Sequence, residues 1–157
     1  MKVVIGYSNN FVDPTKCSAI ADKQFSINQA DILFQVAGQC GLGVLDSADH
    51  HNVYSIGVDA DQSKTSTGTT RPSVITSAIK RVDTAAYDII NMAEQQGTAS
   101  TGAYTSFVQK PFEFDLSNDG VGFATPSSNV PQDAVAKATD FENQIKAGTL
   151  TPPTAIP

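Results

Sequence analysis

Apolar runs of strand length recur along the first half of the chain. Residues 3–7, 32–37, 53–58 and 74–79 are rich in valine and isoleucine, and most of them end at polar or glycine-containing turns. Such runs predict four β-strands. The run at residues 32–37 is nearly continuous, which is typical of a strand that is buried on both faces of a parallel sheet.

Segments with apolar residues at helical spacing lie between or after these runs. Asp13 and Pro14 predict a helix start, with the aspartate as N-cap and the proline at the first helical position, and the helical period continues to about residue 29. Further helices are expected from residue 41, over residues 82–96, and from residue 130 to Gly148. In the last helix we expect Phe141 and Ile145 on the inward face.

The order strand, helix, strand, helix, strand predicts an α/β fold. We expect a mostly parallel sheet with right-handed crossovers and helices on its faces, which is a three-layer sandwich. In such sheets ligands bind at the carboxyl ends of the strands. Phe11, Gly38 and Asp59 follow the ends of three strands, and Lys80 closes the fourth. These four residues are the candidate ligand-binding residues.

The second half of the chain is less regular. Residues 63–72 and 97–102 are rich in small polar residues and are expected to be loops. Residues 112–116 alternate between apolar and acidic side chains, which predicts a strand with one solvated face. Residues 118–120 are expected to form a turn, and residues 121–124 a short strand.

Composition and charge exclude several classes of function. The chain has 157 residues, of which 40% are hydrophobic and 17% charged, and this suits one globular domain. A net charge of −6 argues against nucleic acid and against an anionic membrane surface. No apolar stretch approaches the roughly 20 residues that span a bilayer. Residues 1–7 carry no signal peptide, so the chain as written is expected to stay in the cytoplasm.

Five segments, in this order, are similar to motifs of the basic membrane protein family. They comprise residues 36–43 (VAGQCGLG), 56–62 (IGVDADQ), 76–83 (TSAIKRVD), 120–123 (GVGF) and 129–131 (NVP). The resemblance covers nearly the whole chain. It implies the substrate-binding component of an ABC importer, with the fold of a type I periplasmic-binding protein, in which two α/β lobes enclose the ligand. Members are extracytoplasmic, many are anchored lipoproteins, and characterised ones bind purine nucleosides.

The resemblance also implies that this chain is a partial unit. It corresponds to the carboxy-terminal half of a member, without the first lobe. Residues 1–80 would form the parallel ligand-binding lobe, residues 81–124 a crossover helix and strands near the hinge, and residues 125–157 a closing helix with an extended tail. The implied partners are the importer membrane subunits. A separate first lobe, or a second copy of the chain, is a further possible partner.

The resemblance gives Phe11 a role towards the nucleoside base, and the properties of glycine suggest a role for Gly38 in ligand approach. An aromatic residue near Phe11 stacks on the base in the family, whereas the structural alternative is a loop aromatic that covers the edge of the core. Gly38 would let the ligand approach bare backbone, although a tight strand-to-helix turn explains it equally well. Phe34 is a rival for the stacking role, but its apolar neighbours favour core packing.

The other two candidates are expected to hold the ribose. A carboxylate accepts hydrogen bonds from two neighbouring hydroxyls, which suits Asp59, and the family resemblance assigns it that role. The alternative for Asp59 is a helix N-cap, a role that Asp61 fills more naturally. In the family a lysine at the position of Lys80 contacts the sugar or holds the aspartate, and the alternative is a solvated lysine at a strand end.

The remaining reactive side chains do not suggest catalysis, a metal or a cofactor. His50 and His51 are expected in a surface turn after the second helix, away from the ligand edge. Cys17 and Cys40 fit no zinc spacing, and both lie near helix starts. They could pair if their Cα atoms came within about 7 Å, but we expect them to be unpaired. An enzyme acting on nucleosides is therefore the less favoured alternative.

Overall fold

Four strands form one open sheet. They are β1 (Ile32–Phe34), β2 (Tyr54–Asp59), β3 (Val74–Lys80) and β4 (Val121–Phe123), and they lie side by side in that order. The structure is a computed structural model that describes residues 2–95 and 113–153. β1 is parallel to β2, and β2 is parallel to β3. The predicted α/β fold with a mostly parallel sheet is therefore confirmed.

β4 runs against the other three strands. The N–H of Ala124 donates to the carbonyl oxygen of Ser77, and that of Ser127 donates to Ile75, both at 2.8 Å. Along β4 and the residues after it, each later donor bonds to an earlier residue of β3, which is the pattern of an antiparallel pair.

The chain forms two compact units, of which the first comprises residues 1–79 and 123–131, and the second comprises residues 80–122 and 132–157.

Two helices of the first unit begin where the sequence places them. α1 (Pro14–Ser26) is capped by Asp13, whose carboxylate accepts the N–H of Thr15 at 3.0 Å. α2 (Gly41–His51) follows a single 3₁₀ turn. The two helices pack closely, because a Cβ atom at Gly43 would overlap the carbonyl oxygen of Pro14. Small and aliphatic side chains are buried in this layer, namely Ala21, Leu45 and Ala48.

The two faces of the sheet differ in burial. Leu33 and Ser55, which share one face of the sheet, are 7% and 0% exposed. Ile32 and Phe34 alternate with Leu33 and are 43% and 57% exposed. The expectation of a strand buried on both faces is wrong, and so is core packing for Phe34. Alternation places these side chains on the opposite face of the sheet from Leu33, so an apolar run alone does not show which of its side chains are buried.

A disulfide joins the two helix starts. Cys17 lies in the first turn of α1 and Cys40 directly precedes α2, with their Cα atoms 5.4 Å apart. The expectation of unpaired thiols is wrong, because helix packing brings together residues that are 23 positions apart in sequence. Cross-links around loops of this length stabilise a fold by about 3 kcal/mol, chiefly by restricting the unfolded chain.

Residues 3–7 do not form the predicted strand. Residues 2–10 have no regular secondary structure, and Val3, Ile5 and Tyr7 are 70%, 58% and 70% exposed. Within the described part of the chain, residues 2–7 make no backbone hydrogen bond to β1. High β-propensity therefore does not produce a strand here, because a strand also needs a ladder of partners.

The second unit contains two longer helices. α3 (Val82–Gln95) and α4 (Gln132–Lys146) agree with the predicted helices, and Gly148, with φ +70°, ends the last one. No residue of α4 is buried, and Phe141 is 46% exposed, so its predicted inward position is wrong. The end of the predicted third helix and the loop at residues 97–102 lie outside the described residues.

The described part of the strand predicted at residues 112–116 does not form. Residues 113–115 are irregular and Leu116–Asn118 is a 3₁₀ helix, whereas residue 112 is outside the described range. The Asp115 carboxylate accepts the N–H of Ser117 at 2.7 Å, and the Asn118 side chain accepts the N–H of Asp115 at 2.9 Å. Local side-chain bonds to the backbone therefore prevail over the alternating pattern.

Candidate ligand-binding site

Phe11 stands at the tip of a loop that is ordered by its neighbour. The side-chain oxygen of Asn10 accepts the N–H groups of Val12 and Asp13, at 2.7 and 2.8 Å. This is an Asx turn, and it holds the backbone on the carboxy-terminal side of Phe11. The Phe11 side chain itself is 72% exposed. Its backbone is therefore fixed while its ring faces solvent.

Gly38 lies directly against Phe11. The chain at Gly38 has φ +56°, and a Cβ atom there would lie 3.2 Å from the carbonyl oxygen of Phe11. The N–H of Cys40 donates to the same oxygen at 3.3 Å. A side chain at position 38 would meet both an unfavourable backbone angle and the Phe11 loop. Phe11 and Gly38, which are far apart in sequence, thus form one corner at the carboxyl end of β1.

Asp59 ends β2 in an unusual conformation. Its φ is +68°, and the N–H of Ala60 donates to the carbonyl oxygen of Val58 at 2.8 Å, which closes a three-residue turn around it. In the strand register Asp59 pairs with Ile79 of β3. A positive φ is uncommon for a residue other than glycine, and such residues cluster at functional sites. The turn presents the exposed Asp59 at the carboxyl end of the strand.

The N-cap alternatives for the two aspartates do not hold. Residues 60–73, all of which are described, contain no helix that either aspartate could cap. Asp61 instead accepts the N–H of Ser63 at 3.0 Å and stabilises a turn.

Lys80, the fourth candidate, is the exposed last residue of β3. It is also the first residue of the second unit.

Hydrogen bonds of Gln35 and Gln62 link the ends of β1 and β2 to the middle of β3. Gln35, which is 3% exposed, donates from Nε2 to Oε1 of Gln62 at 2.8 Å. The same Gln62 oxygen accepts the N–H of Val58 at 2.9 Å, and the Gln62 N–H donates to the Ser77 hydroxyl at 3.0 Å. The Gln35 oxygen in turn accepts the N–H of Ala37 at 3.3 Å. These bonds hold the strand ends from which Gly38 and Asp59 follow.

Sequence reasoning missed the residues that support the site. Asn10 could have been found, because an asparagine that follows a strand-like run and precedes a helix cap is a frequent turn former. Gln35 and Gln62 could not, because their bond joins positions 27 residues apart. Gln35 also sits inside an apolar run, where a polar side chain gives no hint of its partner.

The two histidines end α2 and do not form the expected turn. His51 Nε2 lies 3.1 Å from a carboxylate oxygen of Asp22, and the Ser47 hydroxyl donates to the same oxygen. Ser47 therefore bonds to the carboxylate and not to the imidazole, so the three groups lack the arrangement of a nucleophile with its base. No group of three His, Cys, Asp or Glu among residues 2–95 and 113–153 is placed to hold a metal ion.

A separate cavity of about 260 Å³ lies near the amino end of β3. Its walls include Arg71, Thr76 and Ser127. Arg71 is engaged by two carboxylates of α2, at 2.7 Å from Asp46 and 3.4 Å from Asp49. None of the four predicted site residues lines this cavity.

The chain matches a known family over almost its entire length. The family is described as ABC transporter substrate-binding protein PnrA-like, and the match covers residues 1–154. The CD4+ T-cell-stimulating antigen of Listeria monocytogenes is 28% identical over 97% of this chain. Basic membrane protein D of Borreliella burgdorferi is 32% identical over 78% of the chain. The chain spans 43% of the length of the Listeria protein and 33% of that of the Borreliella protein.

Solved structures support the fold. A solute-binding protein of an ABC transporter system from Aeropyrum pernix superimposes with a TM-score of 0.70 at 18% identity. The superposition covers 96% of this chain and 47% of the Aeropyrum protein. A solute-binding protein from Conexibacter woesei gives a TM-score of 0.66 at 20% identity, with 94% of this chain and 45% of that one covered. In the described parts of the chain, no helix has the length and apolarity needed to cross a membrane. Because the family match extends over residues 1–154, the chain belongs to the PnrA-like ABC transporter substrate-binding proteins, the family of the basic membrane proteins.

Proposed function

We propose that the chain carries one wall of a purine-nucleoside site in an ABC-transporter substrate-binding protein. Membership of the family makes binding of a transported substrate the general function. The observation that carries the proposal is the exposed Phe11 ring on a backbone that is fixed by Asn10 and Cys40. A flat aromatic face in a fixed position suits the face of a purine base, and such stacking contributes about 1–3 kcal/mol per base.

The ribose would lie against Asp59. The carboxylate follows β2 at the edge where parallel sheets bind their ligands, and its exposed position leaves room for a sugar. Two vicinal hydroxyls donate well to one carboxylate. We assign Lys80 the further role of contacting the sugar, and Gly38 that of admitting the ligand close to the backbone.

The first test is the unfolding temperature of the purified chain with and without millimolar inosine, adenosine or guanosine. Ligand that binds the folded state raises the midpoint by mass action. We expect a rise with nucleosides that neither ribose nor the free bases reproduce. A midpoint that nucleosides leave unchanged, in a chain that unfolds cooperatively, would refute binding by this half of the fold.

Variants at Phe11 test the stacking role. Phe11→Tyr keeps a flat ring and should bind as the wild type does. Phe11→Ala should raise the nucleoside Kd roughly fivefold to hundredfold, which corresponds to the loss of one stacking contact. Tyr87→Ala is the matched control, since Tyr87 is a comparably exposed aromatic residue on α3. Equal affinities for Phe11→Ala and wild type, by isothermal titration, would remove Phe11 from the site.

Variants at Asp59 and Lys80 test the sugar contacts. Asp59→Asn keeps a side chain that tolerates positive φ, so weaker binding would report on the charge and not on the backbone. The loss should be large for inosine and small for 2′,3′-dideoxyinosine, which lacks the diol. Lys80→Met removes the cation while keeping the length of the side chain. If either variant binds inosine as tightly as the wild type, that residue has no part in sugar recognition.

We further propose that the protein works outside the cytoplasm with the membrane subunits of an importer. The Cys17–Cys40 disulfide supports an oxidising compartment, because such bonds persist there and are rare in the cytosol. Recovery of the oxidised form from the native cell envelope, by mass spectrometry with alkylation of thiols, is the expected result. A fully reduced pair in protein isolated under alkylating conditions would contradict it.

Association with a further polypeptide is a second candidate function. Ile32, Phe34 and Tyr54 expose apolar area on one face of the sheet. Contiguous apolar surface favours protein contacts, and the relatives extend over more than twice the length that this chain covers. Self-association measured by light scattering should then fall in a Phe34→Ser variant. A wild-type chain that is monomeric at all concentrations would argue against self-association.

A further inference from the structure

The disulfide and the Phe11 loop meet at the same residue. Cys40 is covalently bound to Cys17, and its own N–H donates to the carbonyl oxygen of Phe11 at 3.3 Å. Phe11 and Cys17 are joined by the loop and the first turn of α1. The covalent bond and the hydrogen bond thus close a ring over residues 11–17. The position of Phe11 relative to the end of β1 depends on this ring.

The closed loop over residues 11–17 depends on the disulfide, whereas the remaining contacts between α1 and α2 do not. Ala21, Leu45 and Ala48 are buried further along the helices, and Gly43 lies close to Pro14. These contacts do not involve either sulfur atom, so we expect them to persist when the disulfide is broken. The Phe11 ring, at 72% exposure, gains little anchoring from packing. Breaking the disulfide should therefore loosen the corner more than it loosens the helix pair.

We propose that Cys17 and Cys40 are positioning residues for the ligand site. Their disulfide holds the Cys40 N–H beneath the Phe11 carbonyl, and so it holds the aromatic wall beside Gly38. The consequence for ligand binding rests on the proposed function, whereas the consequence for the Phe11 corner does not. Reduction of the disulfide would then weaken substrate binding without unfolding the protein.

Amide hydrogen exchange tests the positioning without a ligand. We compare the oxidised chain with the chain reduced by a phosphine and with a Cys17→Ser variant, which retains the Cys40 amide. Exchange at residues 8–13 and 38–41 should become at least roughly tenfold faster, while the amides of Leu45 and Ala48 keep their protection. Reoxidation of the reduced wild type should restore the slow rates. Unchanged rates at the corner would overturn the inference.

Loss of protection throughout α1, α2 and the strands on reduction would also overturn it, because the disulfide would then hold the whole fold. The second readout is inosine affinity, which should fall roughly tenfold on reduction, because the ligand must then order the loop itself. Equal inosine affinity in both redox states would refute the positioning role in binding. If the oxidised chain does not bind purine nucleosides, the proposed function fails, and the exchange rates alone decide this inference.

Discussion

Replacing Gln62 should separate the role of its side-chain oxygen from the role of its size. That oxygen accepts hydrogen bonds from Gln35, which is 3% exposed, and from the N–H of Val58. Gln62→Ala removes the acceptor and leaves a buried amide without its partner. An unsatisfied buried donor costs about 1–3 kcal/mol. Because two donors lose the same acceptor, we expect a loss of about 2–3 kcal/mol in the free energy of unfolding.

Thermal unfolding followed by circular dichroism measures this loss. For a chain of this length, each kcal/mol shifts the midpoint by about 2–4 °C, so Gln62→Ala should unfold about 5–10 °C below wild type. Gln62→Glu is the matched variant, because a carboxylate oxygen accepts from both donors. We expect Gln62→Glu to retain more than half of the stability that Gln62→Ala loses. Equal losses for the alanine and glutamate variants would refute the hydrogen-bond account and favour packing.

A double-mutant cycle strengthens the test. Gln35→Leu and Gln62→Leu each remove one partner, and the double variant removes both. The combined loss should be smaller than the sum of the single losses by about 1 kcal/mol, which is typical of residues in one network. Strict additivity would mean that the two side chains contribute independently, and the proposed link between the strand ends would then fail.

Three further predictions concern the loop, the helix pair and the second unit. Gly43→Ala should cost about 1–3 kcal/mol by overpacking the α1–α2 contact, whereas Gly122→Ala, with open space around it, should cost much less in the same urea titration. Asn10→Ala should speed amide exchange at Val12 and Asp13, whose N–H groups donate to the Asn10 side chain. Asn10→Asp keeps the acceptor oxygen and should leave both exchange rates unchanged. The pKa of Asp115 lies below its ordinary value, chiefly because the Ser117 hydroxyl donates to the carboxylate. The ionised carboxylate therefore stabilises the fold at neutral pH, and this contribution is lost as the pH falls through the lowered pKa. An NMR titration should show a higher pKa in Ser117→Ala, and an unchanged pKa would contradict this cause.

Elements with local signals could be predicted from the sequence. Asp13 followed by Pro14 specifies the start of α1 through a cap and a preset backbone angle, and both act within one turn. The apolar runs that form β2 and β3 become the two central strands of the sheet, where β-branched residues suit either face. α2 lies between β1 and β2, and this order of strand, helix and strand predicts the α/β fold class, because parallel strands need a crossover connection. The connection from β2 to β3 contains no helix, in agreement with the loop predicted there.

Predictions that depended on distant partners did not hold. Residues 3–7 have the composition of a strand but make no ladder with β1 in the described chain, and Phe34 lies in an apolar run yet is 57% exposed. In both cases the deciding quantity is what lies opposite the segment, and composition does not report it. The disulfide was missed for the same reason, since only the packing of α1 on α2 brings Cys17 to Cys40.

The turns that contain the candidate residues could be predicted better than the contacts that hold those turns. Composition predicts the turns after β1 and β2, in which Gly38 and Asp59 lie, whereas the strand expected before Phe11 does not form. The groups that hold these turns are polar side chains whose role depends on long-range contacts. The Gln35 side chain accepts the N–H of Ala37 beyond the end of β1, and the Gln62 side chain accepts the N–H of Val58, beside which β1 has already ended.

The conformation of Asp59 links this support to function. A residue with a side chain at φ +68° is strained by about 1 kcal/mol, and such a conformation persists only where the surroundings impose it. Here Val58 is held twice, by Gln62 at its N–H and by Ala60 at its carbonyl oxygen. Glycine would adopt the angle without strain, yet an aspartate occupies it. In the proposed site, the contact of the Asp59 carboxylate with the sugar would offset this conformational cost, so Asp59→Gly should relieve the strain while abolishing that contact.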